Sequence, residues 1–161
     1  MHSRSPVVNT RTFLCRTPED TFEIGRRVGS NLKGGEMVLL MGGLGAGKTL
    51  LTKGILEAAG FDVDEVTSPS FALVNLYHTE PFDVYHIDLW RLEPGPGAVH
   101  AVGLDEILED ESAVVIIEWA ERLGDFRFDR DVVCVRIEGD GEDPREIAVD
   151  STLALDTRLT V

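Results

Sequence analysis

The sequence predicts an α/β fold: a single mixed sheet, parallel at its centre and flanked by helices. Three observations carry that expectation. Two short runs, residues 36–41 (EMVLLM) and 113–118 (AVVIIE), are almost wholly apolar, as strands covered on both faces of a parallel sheet are. A glycine-rich turn and then helical spacing follow the first run, giving a strand–loop–helix unit. Near the C-terminus two more strand-like segments flank a cluster of turn residues, which adds an antiparallel pair and makes the sheet mixed. With 161 residues, the whole of 1–161 is expected to form one domain, since domains run to about 100–200 residues.

Taken in order, residues 10–15 alternate and predict a short strand. A helix starts next. Thr17 can cap it, Pro18 suits its first position, and Glu19 and Asp20 favour its positive end. Phe22, Ile24, Val28 and Leu32 form its apolar stripe, and Gly34 and Gly35 stop it. Residues 36–41 form the first buried strand and 42–49 the glycine-rich turn. Leu51, Ile55 and Ala58 then mark a helix over 49–59 that ends at Gly60. Residues 66–71 (VTSPSF) predict an ordered loop, 71–77 and 84–89 strands, 93–97 (EPGPG) a loop, and 104–108 a short helix with an acidic surface. Residues 113–118 form the second buried strand. Residues 132–138 and 146–149 close the sheet, joined by the turn residues 139–144 (GDGEDP). No repeat or long linker interrupts the pattern.

Composition removes several classes of function. The chain has 29 Asp and Glu against 15 Lys and Arg, a formal charge of −14, and no basic block. Phosphate backbones are bound by Lys and Arg, so direct, high-affinity nucleic-acid binding by this chain alone is not expected. No apolar run approaches the ~20 residues of a membrane span. The N-terminus lacks the continuous apolar segment of a signal peptide, so a cytoplasmic location is expected. Cys15 and Cys134 lie far apart in apolar, alternating stretches and read as buried thiols of a reducing compartment. His2, His78, His86 and His100 lack metal-ligand spacing, which argues against a structural zinc site.

The chemistry concentrates at residues 42–49, GGLGAGKT, which match G-x-x-x-x-G-K-[ST]. Glycines let backbone N–H groups curl around a polyphosphate without side-chain interference. The helix that follows points its positive end at the same anion. Lys48 is placed to neutralise β- and γ-phosphates, and the Thr49 hydroxyl to ligate Mg²⁺. The expected fold is therefore P-loop NTPase-like, and the expected ligands are ATP and Mg²⁺.

Such a site needs an acidic group at the end of a neighbouring strand. Glu118 closes AVVIIE, and Asp88 closes VYHID. The two are expected to divide the work, one near Mg²⁺ and the other orienting the attacking water, with the assignment left open. Ser68, Pro69 and Ser70 form a candidate switch loop, since hydroxyls near a γ-phosphate can order and release a segment. Trp119, directly after Glu118, is either a packing residue or a cover for the nucleotide or a partner surface.

The segments MGGLGAGKTLLTKGIL, VTSPSFALVNLY, VYHIDLWRL, GLDEIL and VVIIEWAE occur in this order. With them the chain resembles the bacterial TsaE (YjeE) ATPases, which take part in threonylcarbamoyladenosine (t6A) modification of tRNA. The resemblance covers roughly residues 17–122, with a weaker match at GEDPREI. It implies that Gly43, Leu44, Gly45, Ala46, Gly47, Lys48 and Thr49 bind ATP phosphates, with Leu50 next in line where a second threonine is common. It implies Thr49 and Glu118 as metal-linked groups, Asp88 as an aid to metal or water positioning, Ser70 as the switch hydroxyl and Arg145 as a nucleotide contact. It also implies that ATP hydrolysis resets a complex with the TsaB and TsaD proteins, through which tRNA is met indirectly. The chain departs from the family at Gly43, where Asp is usual, and at Ser70 and Trp90, where Thr and Tyr are usual.

Three rival functions follow from the same motif. A small-molecule P-loop kinase would need a second-substrate site and usually an arginine-rich lid, and few arginines follow the loop. A GTPase would need an N-K-x-D run and a D-x-x-G switch, and neither is present. A nucleotide-dependent interaction module shades into the main reading. The acidic stretch 105–111 (DEILEDE) is either a solvated helix face or a dock for a basic partner patch.

Overall fold

A computed structural model describes residues 9–42, 47–67, 69, 73–124, 126, 129–139 and 144–152. Its elements, in chain order, are β1 (Asn9–Cys15), α1 (Pro18–Ser30), β2 (Met37–Met41), α2 (Lys48–Ala58), β3 (Val74–His78), β4 (Asp83–Asp88), α3 (Pro96–Ala101), α4 (Leu104–Ile107), β5 (Val114–Glu118), β6 (Val132–Glu138) and β7 (Arg145–Ser151). Among the described residues seven strands form one sheet in the order β1-β7-β6-β2-β5-β4-β3. The central strands β6, β2, β5 and β4 run parallel. β7 and β3 pair antiparallel to β6 and β4, and β1 pairs antiparallel to β7. This is the mixed, centrally parallel sheet that the two apolar runs predict.

Those runs are apolar throughout because alternate residues serve two cores. Val38 and Leu40 of β2 and Val114 and Ile116 of β5 meet Ile24, Val28, Leu51 and Ile55 of α1 and α2. Met37, Val115 and Ile117 face the other way, toward Val99, Val102 and Leu104 around α3 and α4. α1 starts as expected: the Thr17 hydroxyl accepts the Asp20 N–H at 3.2 Å, with Pro18 in the first turn. α1 and α2 approach closely through glycine. A Cβ on Gly29 would stand 2.6 Å from the Ile55 carbonyl oxygen, and one on Gly54 would collide with that of Phe22.

Several boundaries differ from expectation. Glu36 is outside β2; its carboxylate accepts the Lys33 and Gly34 N–H groups, both at 2.9 Å, and so closes the turn before the strand. Likewise β5 begins at Val114, not at Ala113. β3 begins at Val74, three residues later than expected, and Phe71 lies outside the described residues. The next strand runs Asp83–Asp88, one residue earlier than expected. The expected loop 93–97 runs into α3, where Gly95 at φ 113° precedes Pro96 in the first turn. β7 is longer than 146–149 at both ends because β1 and β6 pair along its two edges. No helix among the described residues is long and apolar enough to cross a membrane.

Candidate functional site

The site lies at the C-terminal edge of the parallel strands, the position where open α/β sheets hold ligands. β2 leads through Met41 to Gly42, and the chain re-enters the described residues at Gly47, whose φ of 110° suits glycine. Lys48 then opens α2. Its Nζ donates to the Gly42 carbonyl oxygen at 2.6 Å, so the ammonium ties the two ends of the loop together. Thr49 and Leu50, half-buried, follow in the first turn. Gly43, Leu44, Gly45 and Ala46 lie outside the described residues, as does Ser70.

The two strand-end acids come together by register. Asp88 of β4 stands opposite Glu118 of β5, and Leu40 of β2 flanks Glu118 on its other side. Both carboxylates are buried, at 7% and 4% exposure. Asp88 accepts the Trp90 N–H at 2.9 Å. Burial raises its pKa, and the neighbouring Glu118 raises it further, against the lowering effects of the Trp90 N–H, His86 and Lys48. Burial lowers the pKa of Lys48, partly offset by Glu118, Glu121 and Asp88. Opposite charges thus converge on a site that is dry enough to disfavour both.

Sequence reasoning set His86 aside, yet it belongs to this cluster. Fully buried on β4, it donates from Nε2 to Glu118 Oε2 at 2.5 Å. The available signal was period two: in VYHID, His86 and Asp88 share one face of the strand. Trp119, with φ 59°, places its ring 4.3 Å below Lys48 Nζ. Trp90 packs beside it at 4.8 Å between ring centroids, and the Arg122 guanidinium lies over both rings at 5.9 and 5.4 Å. Trp119 therefore packs against Trp90, Lys48 and Arg122. Its positive φ is matched by Leu73, whose carbonyl oxygen accepts the Asp88 N–H at 2.9 Å. Two non-glycine residues in a costly backbone region flank the same carboxylates, as strained residues at functional sites do.

Arg145 enters from the far side. It opens β7, and its guanidinium occupies the space that a Cβ on Gly47 would fill. Arg145, expected as a nucleotide contact, thus lies beside Gly47 at the end of the loop. Among the described residues no group of three or more His, Cys, Asp and Glu side chains is arranged to hold a metal. A separate cavity of about 530 Å³ is lined by Gly95, Pro96, Val99, His100, Leu123 and Phe126, among other residues, and Lys48, Asp88 and Glu118 are not in its lining.

A family model described as "Threonylcarbamoyl adenosine biosynthesis protein TsaE" matches residues 15–147. The tRNA threonylcarbamoyladenosine biosynthesis protein TsaE of Nostoc sp. is 39% identical over 118 residues, spanning 71% of this chain and 70% of that one. The protein of the same name from Mycobacterium tuberculosis H37Rv is 39% identical over 146 residues, 84% of this chain and 83% of its own. That of Bacillus subtilis is 33% identical over 130 residues, 81% and 78% of the two chains. The crystal structure of Bacillus subtilis YdiB superposes with a TM-score of 0.64 at 28% identity, over 96% of this chain and 92% of that one.

Proposed function

The chain belongs to the TsaE family, with a role in t6A biosynthesis, and from that premise we propose that it is a P-loop ATPase that binds Mg-ATP and turns it over slowly unless partnered. One observation carries the reading: Lys48, Asp88 and Glu118 converge beside the N-terminus of α2 at the edge of the parallel strands. A polyphosphate there would meet the helix N-terminus, the backbone of residues 43–47 and the Lys48 ammonium. Arg145, beside Gly47, would add a nucleotide contact, and Ser70 a hydroxyl to the switch.

The donor set fits a magnesium ion that arrives with the nucleotide. Two buried carboxylates stand side by side, and Asp88 is harder to ionise, chiefly through burial and further through Glu118, so a bound cation would favour the charged form. Mg²⁺ is usually held by one or two carboxylates and phosphate oxygens, which suits Asp88, Glu118 and Thr49 without a complete protein cage. Bound there, it would neutralise charge on the β- and γ-phosphates. The chain's own part is to hold the phosphates through Lys48, exclude water with Trp119 and Trp90, and orient the attacking water from a carboxylate.

In this reading the protein works in the cytoplasm with TsaB and TsaD, and hydrolysis resets that complex. Lys48→Ala should lose a charge-assisted contact of ~1.5–3 kcal/mol, about 10–150-fold in ATP affinity. Unchanged affinity in a calorimetric titration would count against the assignment. Glu118→Ala should reduce phosphate release far more than ATP binding. Reconstituted t6A synthesis should need this chain, with its ATPase intact, for multiple turnovers. Stoichiometric phosphoryl transfer to a small molecule, with no free phosphate, would favour a kinase instead.

A further inference from the structure

We propose that His86 is a positioning residue for hydrolysis: its buried imidazole holds one oxygen of the Glu118 carboxylate and so turns the other toward the reacting end of the nucleotide. The inference rests on the ATPase reading above and concerns a residue which that reading leaves without a task.

Register creates the contact. His86 pairs with Ile116, and Glu118 lies two residues further along β5. A diagonal neighbour at this spacing is within reach of a long side chain on the same face. That face is the one toward α1 and α2, because Val84 and Ile116, at alternate positions on the two strands, belong to the core beneath those helices. His86, Asp88 and Glu118 therefore share the side from which Lys48 approaches.

Stability does not account for an imidazole here. His86 is fully buried, and its Nδ1 has no hydrogen-bond partner among the described residues. An apolar side chain of similar volume would fill the position without burying an unpaired nitrogen. Among the described residues the His86 side chain makes one polar contact, the 2.5 Å bond from Nε2 to Glu118 Oε2. An ionised carboxylate only accepts, so the proton of that bond sits on Nε2. Water does not compete at a site this buried, and the bond fixes the carboxylate's rotation before nucleotide arrives. Supporting bonds of this kind set the orientation of catalytic and metal-linked groups.

The test uses the full chain with Mg²⁺ and ATP, alone and with TsaB–TsaD. His86→Met keeps the volume and removes the donor; His86→Gln returns an N–H near the Nε2 position. His86→Met should lower kcat by about 10–100-fold while KM and the ATP dissociation constant stay unchanged, and His86→Gln should recover most of the loss. Proton NMR of the nucleotide-free wild type should show a downfield, solvent-protected imidazole N–H that disappears in Glu118→Ala. Wild-type kcat in His86→Met overturns the proposal, as does an equal loss of ATP binding or a failure of His86→Gln to recover activity. If His86→Met does not fold, His86→Gln and the NMR signal decide, and absence of the downfield proton overturns the proposal. A wild type that binds no ATP overturns the ATPase reading itself, whereas wild-type turnover matched by His86→Met sinks only the inference about His86.

Discussion

Burial opposes charge on both Asp88 and Lys48. Asp88 has a raised pKa, chiefly from burial. Folding therefore gains from a protonated Asp88 below the ordinary value of 3.8 and loses that gain as pH rises through the raised value. Asp88→Asn keeps an oxygen for the Trp90 N–H and removes the charge. Without nucleotide this variant should melt above the wild type at neutral pH, and the gap should narrow as pH falls toward 3.8. Mg-ATP should stabilise the wild type more than the variant. Thermal unfolding across pH, with and without Mg-ATP, checks both. Lys48 works in the opposite sense: its lowered pKa means that a neutral amine favours the fold, and this contribution is lost as pH falls through the lowered value. GKT and the strand-end acids made Lys48, Asp88 and Glu118 legible as candidate site residues, and the structure brings them together. His86 was not, because a histidine on a strand reads equally well as core or ligand until its partner is known.

The helices α1 and α2 hold Lys48 in place through a glycine contact. A Cβ on Gly54 would collide with the Phe22 carbonyl oxygen and stand 2.9 Å from the Arg26 nitrogen, both backbone atoms that cannot turn aside. Gly54→Ala should cost about 1–3 kcal/mol, as overpacking does, seen as a lower urea midpoint. Because α2 begins at Lys48, the shift should also weaken ATP binding. Arg26 and Glu57 bridge the same helices at 2.9 Å, but both side chains are 43% exposed. Arg26→Ala should therefore change stability by less than about 1 kcal/mol. Helix starts and buried strands were readable because caps, prolines and apolar runs act locally. The close approach through Gly54 was not, because a glycine inside a helical pattern carries no mark of what lies across from it. α3 was missed for a related reason: it is six residues long, and Pro96 reads as a turn before it reads as a first helical position.

Across the whole molecule, a sheet whose central strands run parallel brings the ends of β2, β4 and β5 to one edge, on a chain whose formal net charge is −14. The isolated chain should give no tRNA shift on a native gel at about 0.15 M salt, where backbone binding needs clustered cations. Salt-sensitive binding by the chain alone would overturn the expectation that tRNA is met through partners. Such a field does not exclude an anion at the loop, because backbone dipoles and one buried ammonium act at short range while distant charges are screened over ~8 Å. The family and the order of elements were decided along the chain, where motifs, glycines, apolar runs and capping residues act on near neighbours. Folding alone could bring His86 to Glu118, Arg145 to Gly47 and Trp119 beneath Lys48, because each pair is far apart in sequence and is joined by strand register or helix docking.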